Sequence, residues 1–186
     1  MIDLHFVAPG LAVGARFPME AAARLAREHG ITRVVDVRVE ACDDAAVLRT
    51  HGIELLHLPT EDTRAISQEM IRAGVDFVSA ALDEGECVFI HCQYGIGRSA
   101  LLALCVLVAR GDAPLEALAR AKDARPVVSP SPEQLRAFAA FAGWFREARG
   151  AEWEVPEVDA LAAIAYRHLR HDASPEEARA ASTRAG

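Results

Sequence analysis

The sequence predicts an α/β protein: a central, mostly parallel sheet flanked by helices on both faces. Three observations carry that reading. Segments of strand character alternate with segments of helical character along most of the chain, the pattern that joins parallel strands through helical crossovers. The run Cys87-Val-Phe-Ile-His91, preceded by Gly85, is apolar or β-favouring at nearly every position, as suits a strand covered on both sides. A short glycine-containing turn then leads into Ala100–Ala109, apolar throughout, which suits a helix buried against that strand.

Taken in order, Phe6–Gly14 has extended character broken by Pro9 and Gly10 and reads as an edge hairpin or a bent strand. Pro18–His29 carries Ala, Leu and Arg at helical spacing and stops at Gly30, a common helix terminator. Ile31–Arg38 is a buried strand ending in polar residues, of which Asp36 and Arg38 can pair as a structural ion pair or brace a neighbouring loop. Asp43–His51 is helical and stops at Gly52; Ile53–Leu58 is a strand, and Pro59–Ala65 a polar loop. Ser67–Leu82 is a long amphipathic helix that turns Ile71, Val75, Val78, Ala81 and Leu82 towards the sheet. Beyond the apolar helix, Arg110–Pro114 is a cap and turn and Leu115–Asp123 a short helix. In the loop Arg125–Gln134, Ser131 is an N-cap, Pro132 the first helical residue and Gln134 the closing member of a capping box. Leu135–Arg149 carries Phe138, Phe141 and Phe145 at helical spacing. The breaker-rich link Gly150–Pro156 then sets off an amphipathic helix over Glu157–His171, with Val158, Leu161, Ala162, Ala165 and Leu169 on one side, and Ser174 starts one more short helix. The division expected is a main domain over 1–149 and a C-terminal helical extension over 150–186 that packs back on it.

The turn between the central strand and the apolar helix carries the chemistry. Gly95 and Gly97 allow the backbone of Gln93, Tyr94, Gly95, Ile96 and Gly97 to aim successive N–H groups at one point, and the start of the following helix adds positive potential there. The ligand this suits is a phosphate. Cys92 sits at the mouth of that nest, where N–H dipoles and a guanidinium favour the thiolate, the form that attacks. Arg98 can grip two phosphoryl oxygens with its planar fork, Ser99 can hydrogen-bond the sulfur, and His91 is placed to brace the loop. A departing alkoxide or phenoxide needs a proton, and the loop after the Ile53–Leu58 strand offers two carboxylic acids for the task, Glu61 and Asp62.

The pattern His91-Cys92-x-x-Gly95-x-x-Arg98-Ser99 resembles the active-site signature of the cysteine-dependent protein tyrosine phosphatase superfamily. The order of an opening strand, a helix ending in Gly-Ile-Thr, and Val-Val-Asp-Val-Arg is similar to the N-terminal half of small dual-specificity phosphatases, so the resemblance spans roughly residues 5 to 145. It implies a phosphatase domain over 1–149 and a phosphomonoester hydrolase working through a phosphocysteine on Cys92, with Arg98 and the N–H groups of 93–98 holding the phosphate. Asp62, thirty residues ahead of Cys92, matches the position of the family's general acid. The Arg125–Gln134 stretch resembles the late loop that closes the phosphatase pocket, where Gln134 caps its helix or orients water. The resemblance is to compact dual-specificity types, whose shallow pocket admits phosphoserine and phosphothreonine as well as phosphotyrosine. Gln93, Tyr94 and Ile96 are neutral where relatives acting on inositol phosphates often carry Lys. The partner expected is a phosphorylated protein or small phosphomonoester substrate; phosphoprotein ranks first, a phosphoinositide or soluble inositol phosphate second, and an RNA 5′-triphosphate third. A non-catalytic phosphoprotein-binding module is the rival from another class; arsenate reductases and sulfurtransferases also use anion-holding cysteine loops but suit the His91 and Gly95–Ser99 pattern less well.

A net charge of −7 argues against nucleic acid and anionic membranes as partners, because both demand basic surfaces. The first residues show no cationic and apolar leader, and the longest apolar run is about half of what a bilayer needs. These features and the cysteine spacing read as a soluble, cytoplasmic protein; the oligomeric state is not legible. Cys105 is core, while Cys42 and Cys87 are candidate redox partners of Cys92, with burial the simpler reading of Cys87. His168 and His171 lie one turn apart without a third ligand, so no metal and no cofactor are expected.

Overall fold

Strand β5 (Cys87–Cys92) occupies the middle of a five-stranded sheet because its apolar residues face both ways. Val88, Ile90 and Cys92 enter the larger hydrophobic cluster and Phe89 the smaller one on the opposite face. The sheet runs β1-β2-β5-β3-β4, with β1 (Leu4–Ala8), β2 (Leu11–Ala15), β3 (Ile31–Arg38) and β4 (Glu54–Thr60). Only the β1–β2 hairpin is antiparallel. The computed structural model describes residues 2–171, and the short helix expected from Ser174 lies outside them.

The parallel register sets Ala15 beside Cys92 and Asp36 beside His91, so the ends of β2, β5 and β3 come level at one edge. The loops leaving that edge converge, as expected at the carboxyl ends of parallel strands. On one face lie a short helical turn at Met19–Ala21, α1 (Ala22–His29) and α2 (Ala45–Thr50), packed over Ile31, Val34 and Phe89. On the other lie α3 (Gln68–Asp83), α4 (Arg98–Ala109), α5 (Pro114–Ala124) and α6 (Pro132–Arg149). Every residue of α4 from Arg98 to Val108 is buried, so it reads as apolar all round rather than amphipathic. Each of its leucines contributes about 1.5–3 kcal/mol by leaving water.

Local signals set the element ends. Ser67 accepts from the Met70 N–H at the start of α3, Asp44 caps α2, and the capping box Ser131–Gln134 opens α6 as the sequence predicts. Phe138 and Phe141 are fully buried and Phe145 partly so. The C-terminal segment differs from expectation. Instead of one helix there are two, α7 (Val158–Ala165) and α8 (Arg167–His171), because Tyr166 leaves the helical conformation at φ −107°, ψ 15°. The break ends the apolar stripe: Leu161 and Ala165 are fully buried, whereas Leu169 is 60% exposed.

Candidate active site

β5 ends at Cys92, and the chain turns through Gln93–Gly97 before α4 begins. Gly95 holds φ +66°, and a Cβ there would lie 2.3 Å from the Gly14 carbonyl carbon, so only glycine lets the turn pass this close to β2. Gly97 is required for a different reason from the one its position suggests. Its φ is −117°, outside the left-handed region, but a Cβ would lie 2.4 Å from Gln134 Oε1. Among the described residues no side chain caps α4, so the N–H groups of its first turn face the loop.

Cys92 is 3% exposed, and its sulfur lies among donors. The Gly95 N–H donates to it at 3.2 Å, and Ser99 Oγ lies 3.3 Å away. Burial by itself pushes the thiol up, but the Ser99 hydroxyl together with the backbone N–H groups of Ser99, Tyr94 and Gly95 outweighs it and holds Cys92 below the ordinary thiol value. The Ser99 hydroxyl and the Gly95 N–H thus reach the sulfur.

Arg98 is 1% exposed and held from several sides. Its Nη1 and Nη2 donate to the two carboxylate oxygens of Glu40 at 2.8 Å each, and Nη1 also donates to the Thr60 carbonyl at 2.8 Å. Asp62 Oδ1 lies 3.1 Å from Nη2, with the Asp62 side chain 61% exposed. Burial works against the guanidinium charge, but Glu40 and the nearby negative charges of Cys92 and Asp62 overcome it and raise the Arg98 pKa. Arg98 Nε is buried and, among the described residues, donates to nothing, which leaves a charged donor for a ligand oxygen. Of the two candidate acids, Asp62 thus meets the arginine fork.

Glu40 is the residue that sequence reasoning missed. The hydrogen bond from Arg98 outweighs partial burial and pulls the Glu40 carboxyl down to about 2. A faint signal existed: Glu40 lies just past the end of β3, at the sheet edge where sites of parallel sheets form.

Behind the loop a buried polar chain continues the Asp36–Arg38 pair. Arg38 forks onto Asp36 at 2.9 Å and also donates to Asp43 at 2.7 Å, and Asp43 in turn meets His91 Nε2 at 2.8 Å. His91 is fully buried, stacked on Phe89 with centroids 5.4 Å apart and meeting Phe17 edge-on at 5.2 Å. The pair is therefore structural and also linked to the residue next to Cys92. Asp36, Asp43 and His91 lie within coordinating reach of one another, but Arg38 already bridges the two carboxylates.

The loop that carries Glu61 and Asp62 is fastened by the first turn of α6. Ser131 Oγ donates to the Thr63 carbonyl at 2.7 Å, Gln134 Nε2 donates to the Arg64 carbonyl at 2.9 Å, and Glu133 accepts from the Ala65 N–H at 3.1 Å. Thr63 holds φ +62°, an unfavourable left-handed conformation for a β-branched residue. Gln134 therefore caps its helix, packs against Gly97 and ties down the acid loop at once.

The redox expectation for Cys87 fails on geometry. Cys87 stands five residues from Cys92 along one strand, about 16 Å at the usual rise, well beyond the ~7 Å limit for a disulfide. Burial, then the charges of Asp36 and Asp43, push the Cys42 thiol up, away from the thiolate form. Cys105 is fully buried in α4, as expected.

An acidified thiol at the base of an N–H-lined turn, an arginine with a free donor and a carboxylic acid facing it define a class: α/β domains built around a cysteine-containing phosphate-binding loop. The family model for the dual specificity phosphatase catalytic domain matches residues 18–142, and the chain belongs to that family. Mouse dual specificity protein phosphatase 1 is 36% identical over 76 residues, which is 40% of this chain and 21% of that protein. The human phosphatidylglycerophosphatase and protein-tyrosine phosphatase 1 is 27% identical over 111 residues, 56% of this chain and 55% of that one. The alignments thus span about a fifth to about half the length of these curated relatives. Among solved structures, PTPMT1 superposes with a TM-score of 0.72 at 25% identity, covering 80% of this chain and 99% of that one. Human DUSP28 gives 0.70 at 24%, covering 78% and 99%.

Proposed function

We propose that this chain is a phosphomonoester hydrolase that works through a phosphocysteine on Cys92. The observation that carries the reading is the Cys92 sulfur, held below its ordinary thiol value by Ser99 and the loop N–H groups, beside the free Nε of Arg98. In the first step the Cys92 thiolate attacks phosphorus, the S–P bond forms and the P–O bond to the leaving group breaks. Asp62, as a carboxylic acid, gives its proton to the leaving oxygen. Arg98 and the N–H groups from Gln93 to Arg98 hold the three equatorial oxygens as charge shifts onto them. In the second step water attacks the phosphorus, its proton passes to the Asp62 carboxylate, and the S–P bond breaks to return the thiolate, which Ser99 stabilises as it leaves.

The substrate favoured is a phosphorylated protein, with phosphotyrosine first. Tyr94 and Ile96 on the phosphate loop are 59% and 38% exposed, and Val39 beside Glu40 is 53% exposed. Such an apolar rim suits an aromatic ring better than a short serine stem. A lipid phosphomonoester is the second reading: the same rim accepts an acyl region, a human relative is named a phosphatidylglycerophosphatase, and PTPMT1 has been crystallised with PI(5)P. Residues 1–149 are proposed as the phosphatase domain and 150–186 as its extension. Among the described residues no helix is long and apolar enough to cross a membrane. The four free thiols support a reducing, cytoplasmic setting.

The test is phosphate release from an aryl phosphate, a phosphotyrosine peptide, a phosphoserine peptide and phospholipid vesicles carrying a terminal phosphate, with wild type and Cys92→Ser. Turnover lost in Cys92→Ser supports the mechanism, and the preferred substrate in wild type ranks the two readings. Phosphopeptide binding without turnover by reduced wild type would instead make the chain a phosphate-reading module.

A further inference from the structure

The extension lies outside the matched residues 18–142, yet it is bonded to the segment on which both loops of the site depend. That segment is the turn between α5 and α6, Arg125–Ser131. Towards the phosphate loop, Ser129 N–H donates to the Ile96 carbonyl at 2.9 Å, and Arg125 donates to the carbonyls of Gly95 at 2.8 Å and Tyr94 at 3.0 Å. Towards the acid loop, Ser131 Oγ donates to the Thr63 carbonyl at 2.7 Å. Pro130 stands between these two serines. Its carbonyl accepts a 2.5 Å hydrogen bond from the Tyr166 hydroxyl, made at the point where the C-terminal helix breaks.

The junction is reinforced rather than incidental. Ser129 Oγ donates to the Ala165 carbonyl at 3.3 Å. Lys122, 2% exposed, donates to the Val128 carbonyl at 2.7 Å, Ser129 Oγ at 3.2 Å and His168 Nδ1 at 2.9 Å. Leu161 and Ala165 complete the apolar cluster beneath. A turn with prolines at both 126 and 130 has few backbone conformations, so fixing the Pro130 carbonyl fixes its two neighbours as well.

We propose that Tyr166 is a positioning residue for the phosphatase reaction: through the Pro130 carbonyl it sets Ser129 against the phosphate loop and Ser131 against the acid loop. This rests on the hydrolase reading above. Both loops are tied to this turn, but the 61–65 loop is the more exposed and Ser131 holds it through a single side-chain hydrogen bond, so loss of the Tyr166 hydroxyl acts chiefly on protonation of the leaving group.

The experiment compares wild type, Tyr166→Phe and Asp159→Asn, full-length, on a nitroaryl phosphate, whose leaving group departs without help, and on a simple alkyl phosphate, which needs the proton. Asp159 is exposed on the same extension and serves as the control. Tyr166→Phe is expected to lose about fivefold in kcat on the alkyl ester with KM unchanged, to keep kcat on the nitroaryl ester within twofold, and to raise amide hydrogen exchange over 61–65. Asp159→Asn matches wild type on both. Equal rates for Tyr166→Phe and wild type on both esters, or an equal loss on both accompanied only by a lower Tm, would overturn the proposal while leaving the hydrolase reading intact. A wild type that hydrolyses neither ester would sink the hydrolase reading and this proposal with it.

Discussion

The turn over Gln93–Gly97 and the loop that carries Asp62 meet at Arg98, yet they differ in how much of their geometry is set by adjacent residues. The phosphate loop is built from contiguous sequence: a buried strand, a turn at Gly95 with φ +66°, and a helix whose first residues are buried. Its electrostatics come from the same short stretch, since the Ser99 hydroxyl and the N–H groups of Ser99, Tyr94 and Gly95 hold Cys92 below the ordinary thiol value. The acid loop has a strained Thr63 and an Asp62 side chain 61% exposed, and its tethers, Ser131, Glu133 and Gln134, come from about seventy residues further along the chain. A nucleophile needs a fixed field, which a short rigid turn supplies. The proton donor proposed at Asp62 needs a placed carboxyl that water and substrate can reach, and an exposed loop supplies that only if something distant holds it.

Arg98 touches both loops, so its substitution has the largest expected effect. Arg98→Lys keeps the charge but loses the planar fork, so kcat/KM is expected to fall roughly 10²–10³-fold, with tungstate binding by calorimetry weakened in parallel. If Lys supports near-native rates, the loop works by net charge alone. Asp62→Asn addresses the other loop and should cost roughly 10²-fold on an alkyl phosphate and much less on a nitroaryl phosphate, while tungstate affinity stays near wild type. A loss that does not depend on the leaving group would remove Asp62 from the acid role and return Glu61 to consideration.

Weaker perturbations sharpen the contrast. Gln134→Ala removes a side chain that is 1% exposed and bonded to Arg64 in the acid loop. It should cost about 1–2 kcal/mol of stability in urea melts and a few-fold of rate on the alkyl ester. Ser99→Ala is expected to have the smallest effect at neutral pH. The Ser99 hydroxyl is one of the groups that hold Cys92 below the ordinary thiol value, so without it the thiol pKa rises. The thiolate is present above that pKa and is lost as pH falls through it, so the pH midpoint for alkylation by iodoacetamide should move up, and kcat/KM should fall a few-fold on the acid side only. Glu40 does not cause this acid limb, because its carboxyl, held at about 2 by Arg98, keeps its charge throughout the working range.

Legibility followed the same division. The strand over Ile31–Arg38, the Ser131–Gln134 capping box and the Cys92–Arg98–Ser99 constellation could be read directly, because each depends on residues within about ten positions of one another. Glu40 could not, since nothing in Val-Glu-Ala shows that this carboxylate grips an arginine fifty-eight residues later. The continuous helix read over Glu157–His171 was wrong at Tyr166, where the local pattern is helical and the Pro130 carbonyl lies elsewhere in the chain. Gly97 was read as a backbone requirement and is a steric one, visible only once Gln134 is packed against it.

The sequence by itself determined the sheet's central strand, the turn that collects N–H groups, and the presence of a thiol, an arginine and a serine at its ends. Backbone conformation and hydrogen-bonding capacity over a short stretch are properties of the residues themselves. Tertiary structure decided which carboxylates face Arg98, what holds the acid loop and how the extension reaches the turn at Pro130. Those outcomes depend on which side chains from distant segments share one low-dielectric space, and the ends of parallel strands bring them there only after the whole sheet has assembled.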